Sequence, residues 1–542
     1  MSASTHGYAV TEPLGFFALA AFAIGLAWWW LGAPVALPPS PLAPGEKLYC
    51  VSYAPFRDGQ DPLVEGTKVP AAQIDEDMAL LSRFTDCVRT YSVDDGAEDV
   101  LISARRYGLK VLDGVWVSNQ PEKTQKQIAT TVDLAKKYPD VIRGIVVGNE
   151  VLLRGEMSAT DLEAIIREVK SQVTQPVTYA DVWEFWLRNA DLQNSVDFVT
   201  IHILPYWEDF PIPASHAAAH VDEIRKKVAA AIPNKEILIG ETGWPSQGRM
   251  REGALPSPSN QARVIEDTLA LGKRENFHVN VIEAFDQPWK RWLEGSTGRY
   301  WGIFDRAING PKFTLGGAVS DHPLWPWLAL IGIALSILTF GSAWAVTRGK
   351  TPTLQLWPRL AFLSFLSAVP FGWAIERVPI ESYSVGGWIR SLALIAIAAA
   401  APIVCAAACA EGRSLPMFSW LLGRRGETRD RLGVALVAVF IALTLVVVEE
   451  ALGLVFDPRY RDFIFAPTTA AVIPFLALML STTRQSGARA IAETVSAAVL
   501  ALCAIYILPN EGFANWQSIW FCAAILTLAL ILERARDAPG LG

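Results

Sequence analysis

Cysteine is scarce in this chain, six residues in 542. The six are scattered, with no CxxC pair and no Cys/His ligand spacing, which excludes a disulfide-knit small fold and a zinc-ribbon centre. Cys405, Cys409, Cys503 and Cys522 lie in apolar runs and read as small hydrophobes. Cys50 and Cys87 fall near the starts of two expected neighbouring strands, so a bridge and a pair of buried free thiols both remain open. Histidine is equally rare. His216 and His220 stand four apart on an expected helix, but no HExxH carboxylate or third ligand accompanies them, and no metal or other cofactor is expected. Basic charge is not in excess. The net charge is −7, and residues 47–323 hold 31 Lys and Arg against 39 Asp and Glu, which excludes nucleic acid as a partner. No Gly-rich phosphate turn follows the first expected strand, which argues against a doubly wound dinucleotide fold. Asp75 and Asp77 form a DxD, but IDEDMALLSRF reads as an amphipathic helix with a solvated acidic face, not as the metal site of a nucleotide-sugar enzyme.

Apolar residues, by contrast, make up 51% of the chain, too many for an ordinary soluble protein, so part of it must lie in lipid. Residues 14–31 (LGFFALAAFAIGLAWWWL) are uncharged and long enough for one crossing. A cleaved signal peptide would want Lys or Arg ahead of the run and a small-x-small site after it. MSASTHGYAVTEP is not basic, so an uncleaved anchor is expected, with Trp28, Trp29 and Trp30 as an interfacial belt. Seven further apolar runs lie near 324–346, 357–375, 388–410, 432–455, 463–481, 488–508 and 515–532. With the amino terminus inside, the inner connections carry twelve basic residues (Arg348, Lys350, Arg359, Arg413, Arg424, Arg425, Arg429, Arg431, Arg484, Arg489, Arg534 and Arg536), against Arg377, Arg390, Arg459 and Arg461 outside. This bias orients the chain. The middle domain is then outside the cytoplasmic face, in the periplasm if the host has two membranes. Glu449 and Glu450, in VVVEEALGLVF, read either as a polar site facing the bundle interior or as a pair reaching the headgroups. APVALPPSPLAPG (33–45) reads as an extended spacer.

Between 45 and 323, β-rich runs alternate with amphipathic ones. The runs are LYCVSY (48–53), CVRTY (87–91), LKVLDGVWV (109–117), VIRGIVVG (141–148), PVTYA (176–180), VDFVTIHI (196–203), EILIG (236–240) and HVNVIEAF (278–285). Eight such units predict an α/β fold, a (β/α)8 TIM barrel, with an N-terminal transmembrane helix and a C-terminal all-α multi-span membrane domain. The expected division is an anchor over 1–32, a Pro-rich linker over 33–46, the barrel over 47–323 and about seven membrane helices over 324–542. Chemistry in a barrel collects at the carboxyl ends of its strands. Glu150, in VVGNE, ends the fourth and Glu241, in ILIGETGWPSQG, ends the seventh, so the two face one cleft. One protonated and one ionised carboxyl group supply what breaking a glycosidic bond requires, with retention of configuration if they stand about 5–5.5 Å apart. Sugar rings want flat aromatics beside polar groups. The candidates are Tyr53, Tyr91, Trp183, Trp186, Tyr206, Trp207, Trp244 and Trp289, with Asp181 and Glu283, while Trp183 and Trp186 read equally well as a packed helix face.

GETGWPSQG and VVGNEV resemble the nucleophile and acid/base segments of glycoside hydrolase family 17, which includes β-1,3-glucanases and β-1,3-glucan glucanosyltransferases. VSYAPF, VRTYS, YADVWEFW and EAFDQPWK also resemble the fungal and bacterial branches, over roughly residues 47–316. The resemblance implies Glu241 as nucleophile, Glu150 as acid/base and Asn149 as the residue holding the sugar 2-hydroxyl. A negative Glu241 nearby is then expected to raise the pKa of Glu150. The three-part layout resembles bacterial membrane proteins known as β-(1→6)-glucan synthases, linked to cyclic β-(1,3),(1,6)-glucans. The expected activity is a membrane-tethered, retaining glucanosyltransferase on β-1,3-glucan, making β-1,6 branches or closing rings. A plain endo-β-1,3-glucanase is the alternative, and a non-catalytic glucan-binding sensor or export component is a third. The expected partners are a β-glucan, the lipid bilayer and a separate β-1,3-glucan synthase that delivers the chain.

Overall fold

Eight short parallel strands close on themselves between residues 50 and 281. They are β1 (Cys50–Ser52), β2 (Cys87–Arg89), β3 (Lys110–Val115), β4 (Ile142–Asn149), β5 (Val177–Val182), β6 (Val199–His202), β7 (Ile237–Thr242) and β8 (Val279–Val281), with β8 pairing back onto β1. This is the expected TIM barrel. The computed structural model describes residues 5–94, 96–348, 350, 352–415, 417–422, 430–481 and 490–534, and the chain divides into two compact units, Pro34–Val319 and Met1–Ala33 with Ser320–Gly542.

Side chains alternate across each strand, so two sets separate. Val51, Val88, Val111, Ile145, Val177, Val199, Ile239 and Val279 belong to the main apolar core. Cys50, Cys87, Leu112, Val146, Ala180 and Leu238 fill a second, smaller cluster, the apolar layer of the barrel interior. Two residues further along β1 and β2 the set turns polar, with Ser52 and Arg89 fully buried, and Asn280 on β8 is a fully buried polar residue as well. Interior polarity thus rises toward the carboxyl ends, where chemistry is possible. A disulfide joins Cys50 to Cys87 at the apolar end of β1 and β2, which decides the question left open by the sequence.

The entry to the barrel is not a free spacer. Val35–Ala36 pairs antiparallel with Ala318–Val319, Leu37 N–H donates to the Gly317 carbonyl, and Lys273 Nζ reaches the Pro41 carbonyl. Two prolines in a row prevent a longer strand but not this docking, because the donors used come from Leu37 and from the partner. Asp77 also departs from expectation. It is buried beneath Tyr53, Arg57 and Arg306, so the acidic face of its helix is solvated only in part.

In the other unit, seven helices among the described residues are long and apolar enough to cross a membrane: Glu12–Leu31 within Thr5–Leu31, Trp325–Thr347, Leu356–Glu381, Val385–Glu411, Arg431–Phe456, Ile491–Glu511 and Trp516–Arg534. Phe465–Ser481 is apolar but shorter, at 17 residues. Within the described residues each expected apolar run is thus a helix, and residues 488 and 489 of the run 488–508 lie outside them. Trp29 and Trp30 are exposed, whereas Trp28 is fully buried, packed edge-on against His322, and does not belong to a belt. The two readings of the Glu pair divide between its members: Glu450 is buried and ion-paired with Arg390 at 3.0 Å, while Glu449 is exposed. Of the basic residues assigned to inner connections, Arg424, Arg425, Arg429, Arg484, Arg489 and Arg536 lie outside the described residues.

Candidate active site

Two local distortions aim the carboxylates. At the end of β4, Gly148 and Glu150 both take left-handed backbone (φ 87° and 54°). A Cβ on Gly148 would stand 2.8 Å from the Val151 side chain, so only glycine fits, and a left-handed glutamate is a strained residue of the kind that marks functional sites. In β7, Ile201 faces Ile239 but His202 faces Glu241, leaving Gly240 as the extra residue of a bulge. A Cβ there would lie 2.3 Å from the Thr200 methyl and 3.1 Å from the His202 ring. The bulge sets Glu241 beside His202 at the barrel mouth.

Glu150, His202 and Glu241 each present one atom within 4.8 Å of the other two. Arg89, fully buried at the end of β2, ties them together. Its Nη1 donates to Glu241 Oε1 at 3.0 Å and to the Gly240 carbonyl at 2.8 Å and lies 3.2 Å from His202 Nε2, and its Nη2 donates to Asn149 Oδ1 at 2.5 Å. Tyr91 OH adds a second donor to Glu241 Oε1 at 2.9 Å. Two donors, one of them a fixed cation, thus hold Glu241 Oε1. The three-atom cluster has ligand types suited to a metal, but the guanidinium already occupies the lone pairs facing Arg89 and places a positive charge there, so the donor set does not fit a cation.

His202 Nδ1 lies 2.9 Å from Glu150 Oε1. Burial pushes the Glu150 pKa up, but the His202 hydrogen bond and the positive charges of Arg89 and Arg154 outweigh it and hold the carboxyl below its ordinary value. This is the reverse of the expected direction. The expectation counted Glu241 as a repelling charge, and the His202 hydrogen bond and the Arg89 charge offset it.

The other candidates divide into groups. Asn149 and Tyr91 are in the cluster. Asp181 accepts from Tyr179 OH and from the backbone N–H of Leu152 and Leu153, so it braces the turn behind Glu150, and burial pushes its pKa up to about 6. Glu283 is buried against Lys290 Nζ at 3.0 Å, its pKa raised by burial to about 7 even so. Tyr53, Trp186, Tyr206 and Trp244 are fully buried. Their polar atoms are bonded to Asp77, the Thr200 carbonyl, the Arg249 carbonyl and the Leu255 carbonyl, so these four are core and not sugar platforms. Trp183, Trp207 and Trp289 keep partly exposed faces. Sequence reasoning passed over Arg89, His202, Lys290 and Trp116, the last 36% exposed just beyond β3 with Arg154 over its ring. The available signal was a polar or aromatic residue at a strand's carboxyl end, in CVRTY, TIHI and GVWV.

Residues 50–302 match the family model described as the BtgE/BtgC glycoside hydrolase domain. The matched residues hold all eight strands of the barrel. The barrel is similar to a probable beta-glucosidase, btgE, of Aspergillus fumigatus (29% identity over 263 residues, 47% of this chain and 45% of that one). It is also similar to a glucan 1,3-beta-glucosidase of Saccharomyces cerevisiae (24% over 268 residues, 45% and 85%) and to the cell surface mannoprotein MP65 of Candida albicans (24% over 259 residues, 47% and 66%). The chain thus spans less than two thirds of two of these three relatives. Among solved structures, an active-site mutant of a Rhizomucor miehei beta-1,3-glucanosyltransferase in complex with laminaritriose aligns with 49% of this chain and 97% of its own, at 23% identity and a TM-score of 0.44.

Proposed function

We propose that the glycoside hydrolase barrel is a retaining β-1,3-glucan glucanosyltransferase tethered to a membrane. The observation that carries the reading is the pair of carboxylates, with oxygens within 4.8 Å across the mouth of a glycoside hydrolase barrel, nearer the roughly 5–5.5 Å of retaining enzymes than the roughly 6.5–9.5 Å of inverting ones. Glu241 is the nucleophile. Arg89 and Tyr91 both donate to Oε1, so Oε2 attacks the anomeric carbon as the glycosidic C–O bond breaks. Glu150 gives its proton to the leaving oxygen. Glu150, now ionised, takes a proton from a sugar hydroxyl whose oxygen attacks the anomeric carbon and frees Glu241. Glucan as substrate is supported by relatives such as the yeast glucan 1,3-beta-glucosidase. Asn149, Tyr91 and the partly exposed Trp183, Trp207 and Trp289 hold the sugar, with Glu283 as a buried polar neighbour. Both chain ends of the barrel continue into apolar helices, which suits action on a chain emerging from a separate β-1,3-glucan synthase. The domain stands on the outer, periplasmic side, a placement to which the Cys50–Cys87 disulfide lends support, since disulfides persist in oxidising compartments.

Incubating the detergent-solubilised chain with laminari-oligosaccharides tests this. Products longer than the substrate, with retained anomeric configuration by proton NMR, are expected, and Glu150→Gln and Glu241→Gln should each lose on the order of a thousandfold in rate. Only shorter products would remove the transferase reading in favour of hydrolysis, and undiminished activity in either glutamine variant would remove the assigned roles.

A further inference from the structure

His202 is given no task by the sequence reading. It is 1% exposed at the end of β6 and stands between the two glutamates, 2.9 Å from Glu150 and 3.6 Å from Glu241. Its tautomer follows from its neighbours. Arg89 carries donors only and its Nη1 lies 3.2 Å from His202 Nε2, so a lone pair rather than a proton suits that nitrogen. The ring's proton then sits on Nδ1. Nδ1–H then donates to Glu150 Oε1. With Oε1 used as an acceptor, the transferable proton of Glu150 belongs on Oε2.

We infer that His202 is a positioning residue for the acid/base glutamate: Arg89 sets its tautomer, and its Nδ1–H selects which oxygen of Glu150 carries the proton and how tightly that proton is held. The inference rests on the proposed roles of Glu150 and Glu241. The backbone makes such a clamp necessary. Glu150 is the residue just past β4 in left-handed conformation, and its other charged surroundings come from five further elements: Arg89 on β2, Arg154 in the following turn, Asp181 on β5, Glu241 on β7 and Glu294 in the helical segment after β8. None of these is hydrogen-bonded to the Glu150 carboxylate. His202 is the one group among the described residues that is. The loss of this bond leaves the carboxyl free to rotate and removes a donor that favours its ionised form, so the proton is held more tightly.

The test uses the full chain in detergent, laminaripentaose as substrate, and the pH profile of kcat/KM, whose basic limb reports the general acid of the free enzyme. His202→Leu removes the donor. His202→Asn keeps an N–H near the position of Nδ1. His202→Leu should lower kcat about tenfold and move the basic limb up by about one pH unit, with KM little changed, while His202→Asn should restore the native limb and most of kcat. A profile with the native basic limb in His202→Leu, or equal losses without a pH shift in both variants, overturns the inference. Glu150→Gln and Glu241→Gln run alongside separate it from the parent reading. If these stay active, the assigned glutamates are wrong; if they are inactive while His202→Leu keeps its native profile, only the role of His202 falls.

Discussion

At the scale of single residues, buried charge in this barrel is tolerated where a partner is at hand. Arg89 fills a fully buried position, yet each guanidinium nitrogen that faces the cleft has an acceptor, which is the condition under which a buried cation is sustained. Asp113 on β3 is the contrast. It is buried, Oδ1 accepts from Thr90 at 3.2 Å, and Oδ2 has no partner among the described residues. Burial raises its pKa from 3.8 to about 7. A carboxyl with a raised folded-state value binds its proton more tightly folded than unfolded. Its contribution is therefore favourable below about pH 4, falls as pH rises, and is fully lost above about pH 7. Asp113→Asn keeps the Thr90 contact and cannot ionise. Chemical denaturation should show it more stable than the native chain by roughly 1–3 kcal/mol at pH 8 and no more stable at pH 4. Equal stability at both pH values would mean that Asp113 is not the unpaired buried acid described.

At the scale of elements, the short strands owe their definition to what joins them. β1 and β2 have three residues each, too few for their ladder alone to hold register. The Cys50–Cys87 bridge closes a loop with a sequence separation of 37, and a loop of that size is worth about 4 kcal/mol in the chain-entropy account. Reduction should lower the melting temperature of the barrel by roughly 5–10 °C, read by tryptophan fluorescence with and without a reductant under otherwise equal conditions. An unchanged melting curve after confirmed reduction would show that the neighbouring packing of Leu112, Val146 and Leu238 holds the register unaided. The strands and amphipathic helices were legible because their periods are local. The bulge at Gly240 and the left-handed turn at Gly148–Glu150 were not, because each answers a contact made by another segment: the His202 ring and Thr200 methyl in one case, Val151 and Tyr179 in the other.

At the scale of the whole molecule, the apolar helices and the barrel were separable in the sequence by hydropathy alone, and the proposed orientation follows from the distribution of Lys and Arg. It carries a direct check. Protease added to intact spheroplasts should degrade the barrel while sparing the inner connections; a barrel protected until the membrane is opened would reverse the orientation. The unit of apolar helices also holds buried ion pairs, Arg377 with Glu381 and Arg390 with Glu450, of which the sequence indicated only the glutamate of the second.

By itself the sequence determined the repeating strand–helix order, the apolar spans, and which carboxylates end the fourth and seventh strands, because periodicity, run length and strand-end position are properties of a few adjacent residues. Only the tertiary structure decided that Arg89, Asn149, His202 and Glu241, drawn from β2, β4, β6 and β7, form one hydrogen-bonded cluster with Glu150. It alone decided that four of the aromatic candidates are core and that Cys50 meets Cys87. Closing a barrel brings strand ends together that lie tens of residues apart, and the charge state and exposure of a side chain depend on what stands opposite it.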